Sequence, residues 1–259
     1  DSVVIGAFVN VSQVTYYAIP PMLVEYLERF IWAIIAVLIP IISSRDAVGN
    51  TDANKSLYLT GTKYSLLLIS PVVFGLYLVG DNFITIWMGS RYGEPSGQVL
   101  QILLVGHVFF LSQLIAQGIL KGISKHKVLA FILCAEAICN LVLSILLAPK
   151  YGIIGVAIGT AVPLTIINLI LIPLYTCKTL GINYFDYLFK SVLHPVVALV
   201  VPLVIAKRYE IELSSYLEVI LFSLAVLCCY AVYILFFQLQ KEHKEKVFGV
   251  FSKLIKSKI

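Results

Sequence analysis

The sequence places one compact group of charged residues inside an otherwise apolar segment. Glu25, Glu28 and Arg29 are three and four residues apart, so all three share one helical face with Trp32. Glu25 and Arg29 can pair across one turn. Charges inside a membrane span are costly and need a reason. Two interpretations stay open: a site for a charged or sugar-rich substrate, or a self-neutralised pair near the outer interface that only packs.

Two further polar pairs occur at one-turn spacing. Gln113 and Gln117 form one pair, and Glu136 and Asn140 form the other. Hydrogen bonding between helices is the favoured interpretation for both pairs. With the first group, they complete the set from which a substrate cavity could be built. That set is Glu25, Glu28, Arg29, Gln113, Gln117, Glu136 and Asn140.

Sequence motifs of catalysis and cofactor binding are absent. There is no P-loop, no Gly-rich dinucleotide turn, no Gly-x-Ser-x-Gly elbow and no spacing typical of metal ligands. The four histidines are scattered, and the five cysteines lie in or at the ends of apolar stretches. We therefore expect neither an enzyme nor an ATP-driven pump, and we assign no catalytic residue, metal or cofactor.

The composition indicates a polytopic membrane protein. Hydrophobic residues make up 60% of the chain, charged residues 13%, and the mean hydropathy is +0.96. Because lipid forces backbone groups to pair internally, runs this long predict an all-α transmembrane bundle. Eight spans are predicted, with a break at Pro20-Pro21 after the first. They cover 2–19, 22–43, 64–88, 98–120, 128–148, 152–176, 188–206 and 216–238.

The distribution of basic residues predicts the orientation. Of the 19 lysines and arginines, 14 fall on one face of the predicted topology, which the positive-inside rule makes cytoplasmic. Residues 239–259 form an amphipathic, lysine-rich tail that is expected to lie on the inner leaflet. The chain starts at Asp1, with no visible signal peptide, and we expect a fragment lacking its own beginning.

Five short motifs in order resemble one known family. They are Asp1 with Val-Ile-Gly and Tyr17, Pro40 before a polar stretch with Lys55, Ile86-Trp-Met-Gly89 with Tyr92, Gly122-Ile-Ser-Lys125, and the run from Tyr151 to Gly159. In this order they resemble the C-terminal portion of a bacterial polysaccharide-exporting flippase. That superfamily also contains lipid II flippases and multidrug antiporters.

The resemblance implies a MATE-like fold of two six-helix lobes around a cavity. Residues 1–177 would be the second lobe with a truncated first helix, and 178–238 two additional helices. The implied substrate is an oligosaccharide on undecaprenyl pyrophosphate, moved across the bacterial cytoplasmic membrane for O-antigen or capsule synthesis. The implied partners are that lipid, membrane lipids and the missing N-terminal lobe, with no nucleic acid. Arg29, the intramembrane arginine, would meet the pyrophosphate.

Three alternatives remain beside transport of a lipid-linked oligosaccharide. A multidrug or cation antiporter is the nearest within the superfamily. A membrane-embedded enzyme of polysaccharide assembly is the second, although such enzymes usually need a large outer loop and the outer connections here are short. A purely structural membrane subunit is the third.

Overall fold

The protein is a bundle of long helices. The computed structural model describes residues 1–206, 208, 211, 213–234 and 236, and among these it contains helical segments and connections but no strand. The long helices are α2 (Val14–Ala47), α3 (Thr51–Met88), α4 (Ser90–Gly122), α5 (His126–Ile166), α8 (His194–Ala206) and α9 (Tyr216–Tyr233). The shorter segments are α1 (Ser2–Phe8), α6 (Ile172–Leu180), α7 (Tyr184–Tyr187), a 3-10 turn at Val11–Gln13 and π-helical turns at Ile167–Leu171 and Leu188–Leu193. The all-α prediction is confirmed.

Helix α4 lies at the centre of the bundle and is the most deeply buried helix. Gly118 of α4 sits so close to Ile35 of α2 that an added Cβ would be 2.5 Å from its side chain. Gly106 approaches the backbone of Ala161 in the same way, at 3.0 Å from its carbonyl oxygen. Gly122 approaches Ile42 further along both helices, so α2 runs parallel to α4. Leu103 clusters with Ile153 and Ala157, before the approach of Gly106 to Ala161, so the end of α5 also runs parallel to α4. Small residues therefore set how closely these helices approach.

Helices α3 and α4 form an antiparallel hairpin that turns at Gly89, where φ is +105°. A left-handed turn of this kind favours glycine, which lacks a Cβ. Further along, a Cβ on Gly97 would lie 2.6 Å from that of Asp81. The predicted spans 64–88 and 98–120 thus correspond to the inner parts of two longer helices.

Helix α5 folds back on itself at Gly152, where φ is +59° and ψ is −139°. On either side of this turn, Gly159 faces Ser144, whose backbone nitrogen would be 2.6 Å from an added Cβ. Residues 126–151, the first arm, and residues 153–180, the second arm, therefore pack antiparallel at short range. The predicted spans 128–148 and 152–176 match the two arms.

Six helices in the described residues are long and apolar enough to cross a membrane, counting 126–180 as one. A multi-pass membrane protein is thereby supported, but the predicted count of eight spans is not confirmed. The predicted first span, 2–19, is wrong as a continuous helix. Helix α1 ends at Phe8, and Asn10 adopts an extended conformation whose side chain accepts a hydrogen bond from the backbone of Ser12. The polar residues after Phe8, rather than the prolines, break the helix.

The expected break at Pro20-Pro21 is also wrong, because α2 continues through both residues. A proline inside a helix deprives the carbonyl four residues earlier of its usual donor. For Pro20, Pro173 and Pro202, a hydroxyl from another element donates to that carbonyl instead, as membrane bundles require. These bonds run from Ser96 to Tyr16, from Tyr184 to Leu169 and from Tyr230 to Ala198, at 2.8, 3.0 and 3.3 Å.

One end of the bundle carries most of the described basic residues. Here α2 passes into α3, α4 into α5, and α6 into α7, and we call it the basic end. The basic residues of this end are Arg45, Lys55, Lys63, Lys121, Lys125, Lys127, Lys178 and Lys190. Their grouping agrees with the predicted charge asymmetry. The amphipathic tail predicted for 239–259 lies outside the described residues.

Candidate functional site

The structure divides the seven predicted cavity residues among three places. Glu25, Glu28 and Arg29 lie on α2, Gln113 and Gln117 face the interior between α3 and α4, and the last pair lies in the hairpin of α5. Within the described ranges, no hydrogen bond or ion pair joins one group to another. The same residues hold no cluster of His, Cys, Asp or Glu suited to a metal ion.

The charged group on α2 forms the predicted ion pair. Nη2 of Arg29 lies 2.7 Å from Oε1 of Glu25, and its Nε donates to the same oxygen at 3.2 Å. The side chains are 70% and 53% exposed, respectively. An arginine has five N–H donors, so this pairing leaves Arg29 able to bind a further anionic group.

The face around this ion pair is apolar. Tyr26 and Phe30 flank it and are both exposed, and Val37 continues the same exposed side of α2 two turns later. A charged pair within an exposed apolar face of a membrane helix is expected to meet protein or a water-filled cavity rather than lipid. This is the part of the described chain best suited to face a substrate.

Glu28 lies on the neighbouring side of α2 and is half-buried, one turn before Trp32. The ammonium group of Lys121, at the end of α4, sits 4.0 Å from the centre of the Trp32 ring. A cation over an aromatic face is stabilised by the ring quadrupole. This contact attaches the charged segment of α2 to the basic end of α4.

Gln113 belongs to a buried network rather than to an open cavity. It is 1% exposed, and its Oε1 accepts a hydrogen bond of 3.2 Å from the hydroxyl of Tyr58. Its Nε2 donates to the hydroxyl of Tyr187 at 2.6 Å. The two tyrosine rings stack with centroids 4.9 Å apart. The amide thus joins α3, α4 and α7.

Gln117 lies one turn further toward the basic end. Because α3 and α4 are antiparallel, it is level with Asn54, one turn before Tyr58. Both residues are buried, and in the described part of the chain neither Nε2 of Gln117 nor the side-chain amide of Asn54 has a hydrogen-bond partner. A buried polar group without a partner costs about 1–3 kcal/mol.

Glu136 and Asn140 connect the two arms of α5. Oε2 of Glu136 accepts a hydrogen bond of 3.0 Å from Asn168. Oδ1 of Asn140 accepts from Ser144 at 3.1 Å and from Thr160 at 3.4 Å. Hydrogen bonding between segments, the favoured interpretation of this pair, agrees with the structure.

Sequence reasoning missed a further polar cluster beside the hairpin. The hydroxyl of Tyr17 donates to Oδ2 of Asp1 at 2.8 Å. Oγ1 of Thr160 lies 3.2 Å from the same oxygen, and its single O–H can donate either to Asp1 or to Asn140. Sequence spacing could not reveal this cluster because Thr160 is 143 residues from Tyr17. The signal available in the sequence was that Asp1 and Tyr17 belong to the same motif of the family resemblance.

Comparisons with known proteins agree with the resemblance. Residues 1–97 match a family described as polysaccharide biosynthesis protein. A Shigella flexneri protein named for O-antigen transport is 28% identical over 178 residues, 68% of this chain and 41% of the relative. A Haloferax volcanii protein named for a low-salt glycan biosynthesis flippase is 24% identical over 185 residues, 71% of this chain and 39% of the relative.

A third relative extends the match along the chain. The membrane protein EpsK of Bacillus subtilis is 27% identical over 246 residues, covering 90% of this chain and 46% of the relative. The chain therefore spans less than half the length of these curated relatives. No solved structure matches it. The resemblance drawn from the sequence is confirmed: the chain is similar to polysaccharide flippases, and its first 97 residues carry the match to the polysaccharide biosynthesis family.

Proposed function

We propose that the full-length protein is a membrane transporter that moves lipid-linked oligosaccharides across the bilayer during polysaccharide synthesis. The observation that carries this proposal is the family match over 1–97, within a chain whose described helices can cross a membrane. Relatives named for O-antigen transport and for a glycan flippase support the same function. Their names also favour a transporter over an enzyme.

The finer proposal follows the resemblance. The substrate is an oligosaccharide repeat unit on undecaprenyl pyrophosphate, and the membrane is the bacterial cytoplasmic membrane with the C-terminus inside. Residues 1–177 act as one transport lobe opposite an N-terminal lobe of the same protein, and 178–238 are added helices. No cofactor takes part.

In this scheme the exposed face of α2 lines the substrate path. Arg29 supplies cationic N–H donors on an apolar helix face, which suits recognition of a pyrophosphate. Glu25 holds the guanidinium in place between transport events. Gln113, Gln117, Glu136 and Asn140 are bonded or buried inside the bundle and support its shape.

Deletion of the gene in its native host tests the proposal. We expect loss of surface polysaccharide and accumulation of the lipid-linked oligosaccharide inside the cell, both reversed by the full-length gene. Unchanged surface polysaccharide together with a loss of drug resistance would instead identify a multidrug antiporter. Loss of oligosaccharide polymerisation with normal export would identify an assembly enzyme.

Replacing Arg29 tests the proposed site. Arg29→Ala in the full-length protein should reduce surface polysaccharide at equal protein level. Arg45→Ala removes the same charge at the far end of the same helix and is the matched control. Equal polysaccharide from Arg29→Ala and the wild type would remove Arg29 from the substrate path, while the deletion phenotype would still stand.

A further inference from the structure

A basic groove opens between the start of α3 and the π-helical turn at Leu188–Leu193. Its volume is about 710 Å³, and its lining includes Lys55, Lys63, Lys190 and His194. It lies at the basic end and is lined by none of the α2 residues proposed to meet the substrate. The groove is therefore separate from the proposed transport path.

The charge of the groove is positive. Its lining residues include three lysines but one carboxylate, that of Asp52. Asp52 pairs with Lys55 at 3.0 Å. Lys190 lies 3.7 Å from Asp186, outside the lining. Each ammonium group has three N–H donors, so one carboxylate contact still allows a bond to another oxygen acceptor. The three ammonium groups can therefore together bind a phosphate.

A buried hydroxyl points to a ligand in the same groove. Ser191 lines it and is 0% exposed, yet within the described residues its Oγ has no hydrogen-bond partner. A phosphate oxygen in the groove would satisfy the lysines, and a rotation of the Ser191 side chain toward the groove would let its hydroxyl donate to the same phosphate.

An apolar groove follows the basic one toward the middle of the bundle. It lies between α3, α8 and α9, has a volume of about 550 Å³ and is lined by Phe74, Val197 and Val201, among others. Helices α3 and α8 both run away from the basic end, so this groove begins about one turn beyond His194 on α8 and about three turns beyond Tyr64 on α3. A basic groove near the membrane surface with an apolar groove below it matches a lipid that has an anionic headgroup.

We propose that an anionic phospholipid binds here, with its phosphate among Lys55, Lys63, Lys190 and Ser191 and an acyl chain in the apolar groove. Basic pockets between helices at a membrane surface recognise anionic headgroups through the same chemistry. Free phosphate satisfies only the mouth of this site, whereas a phospholipid satisfies both parts. The bound lipid would fasten the helix of residues 184–206 to α3.

Lipid retention by the purified full-length protein tests the proposal. Native mass spectrometry in detergent, with equal phosphatidylglycerol and phosphatidylcholine, should show selective retention of phosphatidylglycerol. Lys55→Gln with Lys190→Gln should lower that retention about tenfold or more, and Ser191→Ala should lower it less. Lys125→Gln with Lys127→Gln makes the same charge change at the same end outside the groove and should have little effect. Equal retention of both lipids, or an equal loss in the control, would overturn the proposal.

Two further measurements separate the lipid from its headgroup alone. Inorganic phosphate at millimolar concentration should not displace phosphatidylglycerol, and displacement would indicate a soluble-anion site instead. Val201→Trp should reduce retention by filling the apolar groove while the lysines stay intact. Unchanged retention in that variant would overturn the placement of the acyl chain. The single variant Lys190→Gln tests the basic groove alone. It should not disturb folding, because the Lys190 side chain is 65% exposed.

Discussion

The hydroxyl of Ser96, on α4, donates at 2.8 Å to the main-chain carbonyl of Tyr16, on α2. That carbonyl lacks its helical donor because residue 20 is proline. One side chain on a neighbouring helix thus compensates for an imino acid in a membrane span, and it joins α2 to α4 at the end opposite the basic end.

Removing this hydroxyl should destabilise the bundle. We expect Ser96→Ala to lower the free energy of unfolding by about 1 kcal/mol, because it leaves a part-buried carbonyl without a donor. In the background of Pro20→Ala, which restores an N–H to that position, the same change should cost less. Thermal unfolding of the four proteins in detergent measures this coupling. An equal loss of stability in both backgrounds would show that the Ser96 hydroxyl does not compensate for Pro20.

The hairpin of α5 should tolerate no side chain at Gly159. A Cβ there meets the backbone of Ser144, which cannot move without separating the arms, so Gly159→Ala should cost about 1–3 kcal/mol. Gly75 lies inside α3 with nothing within 4 Å of an added Cβ. Gly75→Ala is therefore the control and should leave the melting temperature unchanged or higher. A lower melting temperature in Gly75→Ala than in Gly159→Ala would contradict the packing argument.

Exchanging the charges of the α2 ion pair separates structure from recognition. Glu25→Arg with Arg29→Glu keeps an ion pair across the same turn. If Arg29 meets an anionic substrate, the exchanged protein should fold and reach the membrane but transport poorly. Surface polysaccharide and protein level, measured together, decide this. Full polysaccharide display by the exchanged protein would show that the pair acts only in packing.

The orientation predicted from the charge asymmetry can be read from labelling. In a background without the five cysteines, Lys127→Cys and Lys150→Cys place single thiols near opposite ends of the first arm. A membrane-impermeant maleimide should label the thiol at 150 in intact spheroplasts and the one at 127 only after lysis. The reverse result would invert the orientation. Labelling of both from one side would mean that the first arm does not span the membrane.

The fold was predictable where hydrophobicity alone decides it. The all-helical class and both arms of α5 followed from long apolar runs. The continuation of α2 through Pro20 could not be predicted from the apolar runs. The sequence around Pro20 shows that a backbone donor is lost, but the residue that replaces it, Ser96, is 76 residues away in the chain. Local reasoning therefore expected a break where a tertiary bond allows the helix to continue.

The candidate site was predictable only where partners share one helix. The pairing of Glu25 with Arg29 followed from a spacing of four residues. The network of Gln113 did not, because its two tyrosines lie 55 and 74 residues away in the sequence. Interior and cavity-lining glutamines have the same local pattern, and only packing distinguishes them.

The tight turn at Gly152 has a consequence for biosynthesis. Alone in lipid, each arm would expose polar groups that have no water to bind, among them Glu136 and Asn140 on the first and Asn168 on the second. When the arms are paired, Glu136 accepts a hydrogen bond from Asn168, and Asn140 can accept one from Thr160, across the hairpin. The first arm is therefore expected to wait beside the insertion channel until the second has been synthesised, and the two enter the bilayer as a single unit.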